Sequence, residues 1–369
     1  MKNKTRCLYV FDKEYGQSHS FVDGMIINNL LKEEPESIAI YSKPKTSGFS
    51  SIEKQIHVSP FNRKGWGRIL HPFYIINVLL KNKYSNIFIR NEPLVLLLSV
   101  IIKIVSPLKL NIVYQSSYPH EIYSGTRFSR FLNRLIYKAC ITYVDRVLVV
   151  SSLARERMKS YSRRLVDICI IPLCTDFPIV KRKDIDNRSF VYIGTYHYSR
   201  KLDVLIESVY LLFEKEVKVS LTLIGGDKKE FISFYPSIKD KVEVLEKNNC
   251  LKFINSVDRA LIPDYLSKFG FGINIIPPTA QFLESSSTKL GEYLSQGLPV
   301  ISSDKITFHE DCYKSKIGSL VEFNKLCISE KLLEYHSLTN EEYKLMSDNA
   351  VEFVSRELKY DKYITMIHN

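Results

Sequence analysis

The sequence predicts an α/β protein made of two doubly wound, Rossmann-like domains whose parallel sheets face a central cleft. Three observations lead there. Short apolar runs bounded by turn residues alternate with longer amphipathic stretches along most of the chain, the pattern of parallel strands joined by crossover helices. The 369 residues are enough for two domains of ordinary size, each with its own core. A charged stretch without apolar pattern, Lys181-Arg-Lys-Asp-Ile-Asp-Asn-Arg188, divides the alternation into two series.

The first series opens with a buried-strand pattern over residues 6–11, a loop over 14–20 and a helix over 21–32. Further strands are expected at 37–41, 55–58, 87–90, 111–115 and 146–151, and a last one at 168–172. The longest apolar stretch, 93–110, is broken by Lys103 and Pro107 and falls short of a bilayer span, so it reads as a buried helix. The second series begins with a strand over 190–194 that ends in a glycine turn at Gly194, followed by a helix over 202–213. Strands at 219–225 and 250–255, a short helix at 262–267 and strands at 271–276 and 299–302 follow. The residues from Asn340 onward are helical in composition. The expected boundaries are 1–177 for the first domain, 178–188 for the linker and 189–340 for the second domain. A C-terminal helix over 341–369 is expected to cross back to the first.

An apolar fraction of 45% and a charged fraction of 25% are those of a soluble globular protein. The seven cysteines are scattered and form no C-x-x-C pair, so neither a disulfide framework nor a zinc site is indicated and a reducing cytoplasm is expected. The apolar run that follows the basic segment Met1-Lys-Asn-Lys-Thr-Arg6 stops at Asp12, too short for a signal-peptide core. Of the 52 Lys/Arg and 40 Asp/Glu, residues 1–177 hold 26 and 13. The whole net charge of +12 therefore belongs to the first half, which is expected to face something anionic.

Chemistry concentrates in Glu284-Ser-Ser-Ser-Thr-Lys-Leu-Gly-Glu292. Two carboxylates bracket a hydroxyl run at what reads as a helix start, and Gly297 and Pro299 end that helix before a buried strand. Free amides and the positive helix end at Ser286, Ser287, Thr288 and Lys289 suit a diphosphate. Glu292, about one turn further, is placed for a ribose diol, and Glu284 on the preceding loop for sugar hydroxyls.

At these residues the chain resembles the retaining GT-B glycosyltransferases of the family 4 type. Their hallmark is a Glu, seven residues and a second Glu, then a helix and a Gly-x-Pro-Val turn, here Gly297-Leu-Pro-Val300. Val147-Leu-Val-Val-Ser-Ser-Leu-Ala-Arg155, Ile170-Ile-Pro-Leu-Cys-Thr-Asp176, Tyr192-Ile-Gly-Thr195 and Leu223-Ile-Gly-Gly226 are similar to further family segments. The resemblance implies the GT-B fold, a UDP- or GDP-linked sugar donor and retention of configuration. It also implies cations after Gly194. Thr195 stands where family members commonly carry an Arg, which leaves Lys201 in register and Arg200 as a substitute. Such cations stabilise the charge on a leaving diphosphate, so no metal and no cofactor are expected. By the same resemblance His120 reaches toward the donor sugar, with Glu121 as its rival. Gly16 occupies the loop that approaches the phosphates, where His19 is a further candidate, for the acceptor, and Asn255 lies where the base binds.

Two basic segments stand out. One surrounds the only Trp, Trp66; the other is Arg127-Phe-Ser-Arg-Phe-Leu-Asn-Arg-Leu-Ile-Tyr-Lys138. On a helix Phe128, Phe131, Leu132 and Leu135 share a face, with Arg127, Arg130, Arg134 and Lys138 beside it. Such a stripe is commonly core packing with a solvated back. Joined to the charge of the first half, it supports contact with anionic lipid.

The expected activity is hexose transfer to a hydroxyl of a glycan linked to a polyprenyl diphosphate carrier, in bacterial surface polysaccharide (O-antigen) assembly. The expected location is cytoplasmic, peripheral on the inner face of the plasma membrane. A sugar-nucleotide epimerase or hydrolase on the same fold and a non-catalytic basic binding protein are the alternatives. The basic runs are interleaved with apolar residues and carry no recognised nucleic-acid module, so no nucleic-acid partner is expected.

Overall fold

The computed structural model describes residues 6–15, 21–43, 55–62, 65–123, 125–182 and 188–368. The chain divides into two compact units. One is Met1–Leu173 with Glu284–Ser286 and Tyr360–Asn369; the other is Cys174–Leu283 with Ser287–Lys359.

The first unit holds a seven-stranded parallel sheet of β1 (Cys7–Glu14), β2 (Ile38–Ser42), β3 (Ile56–Val58), β4 (Asn86–Arg90), β5 (Asn111–Ser116), β6 (Arg146–Val149) and β7 (Asp167–Ile170), in the order β3-β2-β1-β4-β5-β6-β7. Cys7 to Phe11 are all buried because the central strand is covered on both faces, which is why it reads as a continuous apolar run rather than an alternation. The order reverses between β1 and β4, and in such sheets ligands bind beyond the carboxyl ends at that switch point.

Two helices of this unit differ from expectation. Pro93–Val105 buries Val95, Leu96, Ser99 and Val100 but leaves Ile101, Ile104 and Val105 exposed, because one face suffices to cover the sheet and its last turn runs past it. No helix among the described residues is long and apolar enough to cross a membrane. Arg127–Cys140 turns Asn133, Ile136, Tyr137 and Cys140 inward, and the Tyr137 hydroxyl meets that of Tyr114 at 2.9 Å. That anchoring leaves Phe128, Phe131, Leu132 and Leu135 on the exposed side, so this stripe is not core.

The second unit carries β8 (Phe190–Ile193), β9 (Leu221–Ile224), β10 (Leu251–Ile254), β11 (Phe271–Asn274), β12 (Val300–Ser303) and β13 (Gly318–Val321), all parallel, in the order β10-β9-β8-β11-β12-β13. Its switch point lies between β8 and β11. β13 was not expected, since Gly318-Ser-Leu-Val321 is only half apolar and gains its place by pairing with β12. Part of the expected linker, residues 183–187, lies outside the described residues.

The helix Asn340–Glu357 starts from a capping box between Thr339 and Glu342 and belongs to the second unit. The last residues group with the first unit, where Tyr360 packs edge-on against Phe21 and Arg146 donates to the Met366 carbonyl at 2.7 Å.

Candidate active site

In the second unit the helix Thr288–Ser295 is fixed over the switch point by Tyr293. This ring is wholly buried above β11 at Gly272, where an added Cβ would lie 2.6 Å from it. Its hydroxyl accepts the Ile193 amide at the end of β8 at 2.7 Å. Gly297 follows at φ +66°, a left-handed position suited to glycine, and ends the helix.

A buried polar relay holds the segment that enters this helix. The Ser287 hydroxyl donates to Asn274 Oδ1 at 2.8 Å, and Asn274 Nδ2 donates to His309 Nε2 at 2.9 Å and to Ser302 Oγ at 3.2 Å. Burial pushes the His309 pKa down to about 4, so the ring is neutral at pH 7. The tautomer protonated on Nδ1 donates to the Ser303 carbonyl at 2.9 Å and leaves Nε2 to accept, which satisfies every bond of the relay. Ser287 stands at the N-cap position, yet its side chain does not cap the helix. First-turn amides are thereby left for another acceptor, at the positive end of the helix.

Lys289 and Arg200 add charge at the same end. Lys289 Nζ donates to the Tyr192 hydroxyl at 2.9 Å and stands 4.1 Å from the centre of that ring. It occupies the space above Gly194, where an added Cβ would lie 2.5 Å from Nζ. Burial and then the Arg200 charge hold the Lys289 pKa well below the usual lysine value, with the Glu292 carboxylate opposing them. Arg200 lies 4.9 Å from the centre of the Phe282 ring. Neither cation is ion-paired to a carboxylate among the described residues. Lys201, next in the chain, is exposed in a left-handed conformation at φ +48°.

Glu292 sits one turn beyond, nearly buried. Arg259 donates to its Oε1 at 2.6 Å, also pairs with Asp176, and lies over the Phe177 ring at 4.7 Å. Glu292 Oε2 has no hydrogen-bond partner among the described residues and remains for a ligand. Thr288 is the half-exposed first residue of the helix. Asn255 is exposed just past β10, the edge strand two places from β8, so it is not brought to Lys289.

Glu284 and Ser286 group with the first unit. Arg157 Nε donates to both Glu284 carboxylate oxygens, at 3.0 and 2.7 Å, while its other nitrogens reach Glu121 and Ser116. Tyr161 donates to the same Glu121 oxygen at 3.2 Å. The Ser151 hydroxyl donates to the Glu284 carbonyl at 2.9 Å, and Ser286 Oγ accepts the Leu173 amide at 2.9 Å. Arg157, Arg259 and Tyr192 are thus site residues that sequence reasoning missed.

Elsewhere in this unit Asn91, at φ +52°, ties three strand ends together: its Nδ2 donates to Asp12 at 3.1 Å and Ser117 Oγ at 2.7 Å, and its Oδ1 accepts the Ser117 amide at 2.9 Å. His120 lines a pocket of about 400 Å³ beside Asn91, whereas Glu121 is buried against Arg157. Trp66, Phe128 and Phe131 are 79%, 74% and 58% exposed. Arg127 and Arg134 are exposed as well, and Arg130 donates to the Gly125 carbonyl at 3.0 Å. Gly16 and His19 lie outside the described residues. No group of three or more potential metal ligands occurs among the described residues.

Residues 187–332 match the family model for glycosyl transferases group 1. No curated protein matches the sequence. Among solved structures, sucrose-phosphate synthase from Thermosynechococcus elongatus is similar with a TM-score of 0.72 at 12% identity, over 98% of this chain and 97% of that one. The fold is GT-B. HepE from Anabaena in complex with UDP-glucose shares it, with a TM-score of 0.71 at 12% identity over 98% of each chain. The α,α-trehalose 6-phosphate synthase from Burkholderia multivorans does so at 0.70 and 10%, over 98% of this chain and 96% of that one. At such identities the likeness carries the GT-B fold, and the family match adds that residues 187–332 are similar to a glycosyltransferase domain. Together they support a GT-B glycosyltransferase.

Proposed function

We propose that this chain is a retaining hexosyltransferase of the family 4 type, moving a hexose from a UDP- or GDP-linked sugar to a hydroxyl of a lipid-linked glycan. It works at the anionic inner face of the plasma membrane in bacterial surface polysaccharide assembly. The observation that carries this reading is the pair Lys289 and Arg200, two cations that are ion-paired to no carboxylate among the described residues, beside an uncapped helix start. A pair of this kind, set at the sheet's switch point, suits the diphosphate of the donor. Glu292 Oε2 takes a ribose hydroxyl. HepE, which shares the fold, is seen with UDP-glucose and with UDP, which favours a uridine donor.

In the reaction the anomeric carbon–oxygen bond to the diphosphate breaks while the acceptor oxygen bonds to the same face of that carbon. The acceptor proton passes to the departing phosphate oxygen, and the products are a glycoside and a nucleoside diphosphate. Lys289 and Arg200 stabilise the charge that gathers on the leaving group, a role fixed cations perform without a metal ion. The exposed Trp66, Phe128 and Phe131, flanked by Arg127, Arg130 and Arg134, support the membrane contact.

The test is turnover of UDP-glucose, UDP-galactose and GDP-mannose, with EDTA present, onto a polyprenyl-diphosphate-linked sugar in anionic vesicles. An α-linked product from these α-linked donors is expected by NMR. A β-linked product, or a strict need for added metal, contradicts the proposal.

A further inference from the structure

The pocket of about 400 Å³ in the first unit lies among the starts of the helices Gly67–Lys81, Pro93–Val105 and Arg127–Cys140 and the loop after β5 that carries His120. Its inner wall is polar. Asn91, Glu92 and Asn133 are almost fully buried, and the hydrogen bonds of Asn91 fix that wall to the ends of β1 and β5. Its outer lip is apolar: Ile69, Phe128 and Leu132 line the pocket and also face solvent. Phe131 and Leu135 on the helix that carries Phe128 and Leu132, and Trp66 and Phe73 at and near the start of the helix Gly67–Lys81, are exposed as well. Arg68 stands at the rim of the pocket, and Arg127 and Arg134 flank the strip.

A polar chamber that opens directly onto an exposed apolar strip fits a ligand with the same order of parts. We propose that this pocket takes the acceptor's terminal sugar, that this sugar lies within one or two sugars of a lipid diphosphate, and that the lipid chain leaves across Phe128 and Leu132. The inference rests on the transferase reading above and adds the length of the acceptor. Its size is at the small end of ligand sites, which run from about 300 to 1,000 Å³, so there is room for one or two rings and not for a long glycan. The rim arginine and the flanking cations complement the diphosphate and the anionic lipid around it. His120 and Asn133 face the sugar hydroxyls, and Phe128 and Leu132 cover the first isoprene units. This enzyme would then act early in assembly: its acceptor must come from transfer of a sugar phosphate onto a lipid phosphate, or from one glycosyl transfer after that step.

Acceptors carrying one, two or five sugars on a short polyprenyl diphosphate, in phosphatidylglycerol-containing vesicles, test this beside the same glycans without lipid. The donors are UDP-glucose, UDP-galactose and GDP-mannose, and stabilisation of the protein by UDP and GDP is read separately. The expected result is kcat/KM at least tenfold higher for the one- and two-sugar lipid acceptors than for the five-sugar or lipid-free ones. A Phe128→Ser/Leu132→Ser double variant, altered only at exposed positions, is expected to raise acceptor KM at least tenfold while nucleotide stabilisation stays as in the parent. Equal use of the five-sugar or lipid-free acceptors overturns the inference, as does an unchanged KM in the double variant. So does a strip that merely pairs two copies, seen as a dimer that the double variant dissolves with no change in KM. Nucleotide stabilisation with turnover confined to the five-sugar lipid acceptor overturns this inference alone; no stabilisation by either nucleotide brings down the transferase reading with it.

Discussion

Glu121, Arg157 and Glu284 in the first unit form a buried cluster in which one guanidinium joins two carboxylates. In the second unit Lys289 and Arg200 form a cluster in which two cations repel each other and no carboxylate among the described residues is ion-paired with them. The first is charge-paired within the protein, with Glu121 Oε2 alone lacking a hydrogen-bond partner among the described residues, and serves as scaffold. The second is left with work for a ligand. A buried charge is tolerated only when it is paired, neutralised or used, so the difference in pairing separates what holds the fold from what binds.

Breaking the first cluster should have the largest effect. Arg157→Met strands two buried carboxylates and should lower stability by about 3–5 kcal/mol in a urea titration, with Arg157→Lys recovering part of it. A loss under about 1 kcal/mol would mean that the cluster is not a structural lock. Breaking the second should do the reverse. Lys289→Met should leave stability unchanged or raised, because a repelled cation is removed, while kcat falls about 10²–10³-fold, or roughly 3–4 kcal/mol of transition-state stabilisation.

The His309 relay sharpens the comparison through pH. Its folded-state pKa of about 4 lies below the unfolded value of 6.5, so the unfolded chain binds the proton first. The contribution is present above pH 6.5 and is lost as pH falls toward 4, amounting to roughly 3 kcal/mol over that window. Thermal midpoints of wild type and His309→Gln should therefore converge across this range, and parallel curves would show that His309 does not titrate with unfolding. The smallest effect is expected for Glu292→Ala, at least about tenfold in kcat/KM for the donor, or 1.4 kcal/mol, measured at saturating acceptor.

Much of this was readable in the sequence. Continuously apolar strands such as Cys7 to Phe11 announce burial on both faces, and Gly297 with Pro299 marks the end of the helix that carries Lys289 and Glu292. β13 escaped notice because Gly318-Ser-Leu-Val321 owes its strand to a neighbour rather than to its composition. The counter-charges also escaped, since Arg157 is far from Glu284 in the chain and Arg259 far from Glu292, and only the fold brings each pair together. One signal for Arg157 was available: on the helix Ser152–Lys159 it shares the inward face with Ala154 and Met158, both buried, where a cation needs a partner. For Phe128, Phe131, Leu132 and Leu135 the helical period shows a stripe but not which way it faces. The inward side is chosen by Ile136 and Tyr137, anchored through Tyr114.

The central claim is that Lys289 and Arg200 form the seat of a nucleoside diphosphate, and a thermal-shift screen against UDP, GDP, ADP and CMP tests it most directly, with wild type beside Lys289→Met. Binding to the native state alone must raise the unfolding midpoint. The account predicts a clear shift with UDP or GDP in wild type, little with CMP, and its loss in a Lys289→Met protein that remains folded. No shift with any diphosphate, or the same shift in both proteins, would contradict it.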